Sequence, residues 1–414
     1  MQKKILVLGV GQHNFLYYLY SALKSYNKSY TVAAPFVREL DKSVKSDHSI
    51  YNNELVSQKF SILNYIHAFL LILFDGFLYQ TFFFILFVER KFKKAVHFVL
   101  KYGQAKAFFL QNDNFNSFDS FHFHYLQYSY VRELFLIPKG KKIVCTFWGS
   151  DLLRTADILN LYIIKKALNK ATIITCQSLE LKEIILSKYG RHLERKINVA
   201  MFPIDAKTYE AIDAYKGNDL SINEFKSTYK YSSEKINVLI GHNGSTFNNH
   251  EKIINALAEL QQKEKVHLIV NLNYGLPESD KESYKRKLTK ALENSEMSFV
   301  VLENFFSGDE LAISRLASEV FIHMPISDAL SGTMLEMLYA SNIVLTGSWL
   351  PYKTFVNAGL KYYEVSDFST LPSIFDKVLG QYEAEKEKVN QNHNAIQESF
   401  FGDSIIAKWN QILK

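Results

Sequence analysis

The feature that most constrains this chain is a repeated alternation of short apolar runs with stretches of helical spacing, and the alternation runs twice. In the first half the runs are KKILVLGV (3–10), YTVAAPF (30–36), AFFLQND (107–113), FDSFHFHYL (118–126), KIVCTFWGS (142–150), ATIITCQS (171–178) and KINVAMFPI (196–204). In the second half they are KINVLIGHNG (235–244), VHLIVNLNYG (266–275), SFVVLENF (298–305), VFIHMPI (320–326) and NIVLTGS (342–348). Apolar strands separated by helices build a mostly parallel sheet with helices on both faces. At 414 residues the chain is long enough for two such domains. The expected fold class is therefore α/β, with two Rossmann-like, doubly wound domains. Residues 206–234 are polar, without clear periodicity, and mark a linker. The expected division is 1–205, then 235–395, then a C-terminal amphipathic helix within 396–414.

Composition narrows the function classes. The net charge is +6, mildly basic and scattered, which suits anionic small-molecule partners and does not make a nucleic-acid surface. The only cysteines, Cys145 and Cys176, lie in strand-like runs and are expected to be buried reduced thiols. The apolar run near the N-terminus is short and is followed at once by Gly9, Gly11, Gln12 and His13. It is expected to be a first strand, in a protein of the cytoplasm. GVGQHN (9–14) is not a full dinucleotide fingerprint, because Asn14 stands where the third glycine belongs, and NAD binding is not expected.

One segment does not fit a plain α/β pattern. IHAFLLILFDGFLYQTFFFILFV (66–88) is long enough to span a bilayer, but Asp75 and Gln80 near its middle and Gly76 beside them oppose that. A buried helical pair and a membrane-docking surface are the other readings. Arg90, Lys91, Lys93, Lys94 and Lys101 follow, interleaved with Phe92, Val96, Phe98 and Val99, so that 66–101 as a whole has the pattern of a basic amphipathic surface facing an anionic membrane.

In open parallel sheets ligands sit beyond the carboxyl ends of strands, so the residues just past each run are the site candidates. SDALSGTMLEMLYAS (327–341) places Asp328 and Glu336 eight positions apart around Ser331, Gly332 and Thr333 at an expected helix N-terminus. Free amides and the helix dipole there suit a diphosphate, and a carboxylate one turn inside can accept ribose hydroxyl protons. An ordinary capped helix gives the same pattern. GHNGSTFNNHEK (241–252) offers Gly241 and Gly244 for a tight turn under a phosphate. It also offers Asn243, Ser245 and Asn249 as donors, and His250 or Lys252 as positive charge. CTFWGSDLLR (145–154) supplies Trp148 and Gly149 at a turn, and Arg154 as positive charge. Asp151 there either binds a ligand hydroxyl or caps the next helix. His122 and His124 share a strand face, but two histidines without a third ligand do not make a metal site.

The order of these segments resembles the retaining GT-B glycosyltransferases, above all glycosyltransferase family four and its bacterial surface-polysaccharide enzymes. The resemblance rests on the acidic pair Asp328 and Glu336 with seven residues between them, on Trp148-Gly149-Ser150-Asp151, and on the loop opened by Gly241. Asp328 stands where the family usually has Glu, and Asn and His stand where its phosphate loop often has Arg and Lys. The resemblance implies two domains facing a central cleft, with the first taking the acceptor and the second the donor. It implies that Asp328 faces the donor sugar and Glu336 binds the ribose. Tyr274, Asn304 and Phe305 would lie by the base, and Gly11, Gln12, Trp148, Gly149 and Arg154 by the acceptor. His124 would be a sugar or acceptor contact, although a satisfied core histidine fits it equally. The implied reaction is transfer from a nucleoside diphosphate sugar to a glycan or lipid-linked glycan, without a metal and with no cofactor beyond the nucleotide sugar as co-substrate. Peripheral contact with the inner face of the cytoplasmic membrane is also implied. A GT-B-fold sugar-nucleotide epimerase and a catalytically silent scaffold of an assembly complex are the alternatives.

Overall fold

A computed structural model describes residues 2–36, 50–57 and 61–414. The chain divides into two compact units, Met1–Pro203 with Gly402–Lys414, and Ile204–Phe401. The first contains β1 (Lys3–Gly9), β2 (Tyr30–Ala33), β3 (Ser120–His124), β4 (Lys142–Thr146), β5 (Ile173–Cys176) and β6 (Ile197–Val199) in the order β2-β1-β3-β4-β5-β6. The second contains β7 (Ile236–Ile240), β8 (Val266–Asn271), β9 (Ser298–Leu302), β10 (Val320–His323), β11 (Ile343–Gly347) and β12 (Tyr363–Val365) in the order β12-β11-β10-β7-β8-β9. Every strand pairing is parallel. β3, β8 and β11 are buried at every position, which is why they appear in the sequence as continuous rather than alternating runs.

Strand order fixes where each unit can hold a ligand. In the first unit the direction of winding reverses between β1 and β3, whose ends meet at the pair Gly9 and His124. In the second it reverses between β7 and β10, where the Gly241 amide donates to the Ile322 carbonyl at 3.1 Å. The crevice past the carboxyl ends at such a reversal is the usual binding place of doubly wound sheets. The Gly9, Gly241 and Asp328 loops all start there.

Three expectations are corrected. AFFLQND is not a strand but the end of the helix Phe92–Gln111, with Phe108 and Phe109 packed inward. Residues 206–234 are not a linker: they hold the helices Ala206–Tyr215 and Asp219–Thr228, capped by the Asp205 and Asn218 side chains. Both helices belong to the second unit, tied to it by Tyr215 to Asp309, Tyr229 to Glu310 and Lys226 to Glu319. The strand β12 follows the apolar runs and has no counterpart among them.

The last helix, Asp403–Leu413, lies in the first unit. Its Trp409 is fully buried, stacks on Phe202 and donates its indole N–H to the Met201 carbonyl at 2.7 Å. Asn410 meets the Tyr30 hydroxyl at 2.9 Å. A buried indole with a satisfied N–H fastens the end of the chain to the first core. Trp409→Ala is expected to destabilise the protein by about 3–5 kcal/mol and Trp409→Phe by only about 1–2 kcal/mol, read from urea unfolding.

Candidate functional site

The second unit gathers four strand ends. After β10, Asp328 Oδ2 accepts from His323 Nε2 and from the Tyr352 hydroxyl, each at 3.0 Å, while Oδ1 accepts from the Ala329 amide at 2.8 Å. Burial works against charge on Asp328. The His323 hydrogen bond, with His323 and His242 nearby, outweighs it and holds the carboxyl well below the usual carboxylate range. His323 and Tyr352 were not legible as site residues. The available signal was a histidine at the last position of a buried strand, five residues before an acid.

The helix Gly332–Tyr339 starts beside this carboxylate, and its N-cap Ser331 accepts from the Met334 amide at 3.2 Å. Capping thus explains Ser331. Gly332 is exposed with open space where a Cβ would stand, and among the described residues no hydrogen-bond partner is found for the Gly332 or Thr333 amides. Two donors at the positive end of a helix beside a strand-order reversal suit an anionic oxygen. One turn on, Glu336 Oε2 accepts from Arg315 Nε at 2.9 Å and from Nη2 at 2.8 Å. Arg315 is nearly buried, so this pair holds the Glu336 side chain in place and leaves Oε1 to accept from a ligand.

The loop after β7 is a built turn rather than a set of free donors. Asn243 Oδ1 accepts from the Ser245 amide and from Asn248, and Asn249 donates to the Met324 carbonyl. The Gly244 amide donates to the Tyr274 carbonyl at 2.7 Å, which corrects the expectation that it is open to a phosphate. Gly241 has φ +65°, and a Cβ there would stand 2.5 Å from His250 Nε2. His250 is the reason for that glycine. Burial lowers its pKa to about 4, so the ring supplies no positive charge near neutral pH. Ser245 caps the short turn Thr246–Asn248, and Lys252 is exposed on the helix His250–Leu257 with its ammonium over the Phe368 ring. Past β8 and β9, Tyr274 and Phe305 are half exposed, 6.0 Å apart edge to face, with Asn304 exposed beside them. An exposed aromatic pair at two adjacent strand ends can hold a planar base.

In the first unit His124, Asp151, Gly149, Gln12 and Gly11 are spent internally. His124 is fully buried, with Nδ1 accepting from Trp148 Nε1 at 3.3 Å and Nε2 donating to the Tyr20 hydroxyl oxygen at 3.1 Å. Tyr20 meets His122 Nδ1 at 2.8 Å, His122 Nε2 meets Thr146 at 2.6 Å, and Thr146 meets Thr175 at 2.6 Å. With Trp148 as the first donor, one proton direction satisfies the whole row, and no ring nitrogen is left for a sugar or a metal. This corrects His124 as a substrate contact. Asp151 is likewise fully buried. Its Oδ1 accepts from the Trp148 and Gly149 amides, both at 2.9 Å, and its Oδ2 from the Leu126 amide at 2.7 Å. Burial raises its pKa to about 6 against those amides. It closes the Trp148 turn and is not an acceptor ligand. Gln12 is buried, its Nε2 donating to the Ala34 carbonyl, and Gly11 has φ +75° with Phe36 O 2.3 Å from any Cβ. Both lock the first loop against the end of β2. At the surface of this end lie the half-buried Trp148 and His13, whose rings meet edge to face at 4.7 Å, and the exposed Phe15, whose amide donates to His13 Nδ1. Arg154 is exposed at the end of the helix Ser150–Leu153. His13, missed in the sequence, follows directly on Gly11 and Gln12.

Two predictions test these assignments. Burial lowers the pKa of His122 and of His242 to about 3 and of His250 to about 4, and holds that of His124 well below the ordinary histidine value. Unfolded histidine titrates near ~6.5, so the unfolded chain takes up protons that the folded one refuses. Stability is then full above that value and falls as pH drops toward 4, by about 1 kcal/mol per histidine per unit. Asp151, raised to about 6, and Glu133, which burial also raises, oppose this at lower pH but are two groups against four. Urea unfolding at pH 7.5 and 5.5 is expected to show the loss; equal stability at both would contradict the buried neutral rings. Asp151→Asn sets an amide N–H against a backbone N–H and is expected to cost about 2–3 kcal/mol by the same assay.

No protein-family model matches the chain, and no curated protein sequence does. Solved structures do match over its whole length. HepE from Anabaena in complex with UDP has a TM-score of 0.65 at 12% identity, with 100% of this chain and 99% of that one covered. A glycosyltransferase from Rickettsia africae has a TM-score of 0.66 at 15% identity, covering 100% and 98%. Sucrose-phosphate synthase from Thermosynechococcus elongatus has a TM-score of 0.62 at 13% identity, covering 100% and 98%. Two six-stranded parallel sheets in this order, matched from end to end by these structures, give the chain the GT-B fold.

Proposed function

We propose that this protein is a glycosyltransferase that moves a sugar from a nucleoside diphosphate sugar to a glycan or lipid-linked glycan acceptor, in the assembly of a bacterial surface polysaccharide such as capsule, O-antigen or lipopolysaccharide. The observation that carries the reading is the grouping at the end of β10. There an ionised, braced Asp328 and an Arg315-held Glu336 flank the open amides of Gly332 and Thr333. A nucleotide sugar presents a sugar, a diphosphate and a ribose in that order, and these three features follow one another along the nine residues from Asp328 to Glu336. Similar structures with UDP, with UDP and glucose, and with UDP-glucose support a uridine donor.

In this reaction the bond from the anomeric carbon to the diphosphate oxygen breaks, a bond from that carbon to an acceptor oxygen forms, and the acceptor hydroxyl's proton leaves with the diphosphate. The leaving diphosphate gains charge, which the Gly332 and Thr333 amides are placed to meet. Asp328 accepts a hydrogen bond from a donor-sugar hydroxyl, Glu336 Oε1 accepts from the ribose, and Tyr274 and Phe305 hold the base. Transfer proceeds without a metal and with retention at the anomeric carbon, in the cytoplasm. Trp148, His13 and Phe15 receive the acceptor.

Melting with UDP, GDP, TDP and CMP, with and without Mg²⁺, tests the donor site. One nucleotide at 100 times its Kd is expected to add about 2.7 kcal/mol. Glu336→Gln keeps an acceptor for Arg315 and is expected to weaken that nucleotide roughly 10- to 100-fold. Asp328→Asn is expected to bind it within about 3-fold of the parent while sugar transfer falls on the order of 100-fold or more. Unchanged nucleotide affinity in Glu336→Gln sinks the ribose assignment, and free epimerised nucleotide sugar without acceptor would make the protein an epimerase.

A further inference from the structure

Residues 62–88 form two helices, Ile62–Ile72 and Gly76–Val88, bent by 73° at the break between them. Their inner side is ordinary core. Ala68, Ile72, Leu78 and Ile85 are buried beneath the pair, and Gly103 of the helix Phe92–Gln111 admits the Phe69 ring where a Cβ would clash at 2.5 Å. Asp75, the residue that opposed a membrane reading, caps the second helix through Oδ1, and its Oδ2 accepts from the Tyr102 hydroxyl at 2.7 Å. Its polar atoms are therefore committed inside the protein.

The outer side is what a soluble core helix does not show. Phe74 at the bend is 90% exposed, Ile62 80%, Leu63 76% and Phe87 69%. An open apolar groove of about 720 Å³ runs along the first helix, lined by Ile62, Tyr65, Ile66, Phe69, Leu70 and Leu73. Directly after this surface come Arg90, Lys91 and Lys93, all exposed, with no carboxylate partner among the described residues. The acid in this stretch, Glu89, is taken by Lys94 at 2.8 Å. A protein partner would be expected to meet those cations with scattered acids. A sheet of anionic headgroups meets them as a plane beside the apolar surface it covers.

We infer that the bent pair 62–88 enters one leaflet of a membrane without crossing it, with Leu73 and Phe74 among the acyl chains and Arg90, Lys91 and Lys93 on anionic headgroups. The lengths agree. The helices reach roughly 17 and 20 Å, each short of a hydrocarbon core of ~30 Å. The open groove along the first helix gives an acyl chain a place to lie. A surface of this kind would keep the protein at the membrane that carries a lipid-linked acceptor, yet it stands independently of the reaction proposed above.

The test is co-sedimentation of the full chain with vesicles of phosphatidylcholine, alone or mixed with phosphatidylglycerol. Binding to the mixed vesicles is expected. Phe74→Glu with Phe87→Glu is expected to lower it at least about 10-fold. Arg90→Gln with Lys91→Gln and Lys93→Gln is expected to lower it on the order of 100-fold. All the substituted side chains are exposed, and an unchanged melting transition checks that the variants fold. Because Cys145 and Cys176 are buried, a fluorophore attached at Phe74→Cys reports the tip alone, and a blue shift with mixed vesicles is the expected sign of entry. Failure to bind either vesicle, binding that the substitutions leave unchanged, or equal binding to both vesicles overturns the inference. A dimer that Phe74→Glu dissolves, without vesicle binding, would assign the surface to a second copy of the chain instead. Nucleotide-induced stabilisation is unaffected by any of these outcomes, so loss of this inference and loss of the transferase reading are separately visible.

Discussion

Everything functional in this protein hangs on parallel pairing of buried strands. A parallel strand cannot turn back on its neighbour, so every connection leaves a carboxyl end, crosses a face as a helix and returns. Where the winding reverses, two adjacent connections leave on opposite sides and open a crevice. The chain makes that reversal once in each unit, at Gly9 and His124 and at Ile240 and Ile322. The loops that begin there pack closely on their neighbours, Gly11 on the Phe36 backbone and Gly241 on the His250 ring, at distances no Cβ would tolerate.

The two reversals use the same device to different ends. Each has a buried histidine ending the strand just past the reversal, His124 on β3 and His323 on β10, and each histidine meets a tyrosine hydroxyl, Tyr20 and Tyr352. In the first unit the row runs from Trp148 to Thr175 and ends inside the protein, so its product is rigidity: it holds the Trp148 turn without a reactive group. In the second unit the histidine and tyrosine converge on a carboxylate whose side chain keeps some exposure. The same buried polar pair is a brace in one place and an aiming device in the other. The difference is whether its last member is closed off by protein.

The strands were legible because buried parallel strands are contiguous apolar runs bounded by turns, and eleven of the twelve coincide with such runs. The run 107–113 misled because a few apolar residues carry no period of their own, and the helix that owns them starts at Phe92 among lysines. Residues 206–234 misled in the opposite sense. Their helices bury one narrow stripe and were better signalled by the caps Asp205 and Asn218 than by hydrophobicity. At the site, the sequence grouped Asp328, Gly332 and Glu336 because they share one strand end. It could not separate them from Asp151, His124 or Asn243, which have the same chemistry in similar places. Whether a polar side chain is spent or available depends on partners far along the chain. Tyr352, Arg315 and Tyr20 decide that for Asp328, Glu336 and His124, and nothing near those residues announces them.

The brace on Asp328 bears on how an Asp, rather than a longer Glu, can serve at this position. An aspartate is one methylene shorter, and a flexible short acid would reach a donor sugar poorly. Here the side chain is not searching. Oδ2 is fixed by two donors and Oδ1 by the next residue's amide, so its direction is set before any ligand arrives. The same contacts favour its ionised form, which suits it to accept hydrogen bonds. A rigid acceptor close to the backbone favours a sugar that comes deep to meet it, whereas a longer acid could follow the sugar outward. In the proposed reaction, donor-sugar selectivity would then lie with His323 and Tyr352, which set how far and in what direction the carboxylate stands, as much as with Asp328 itself.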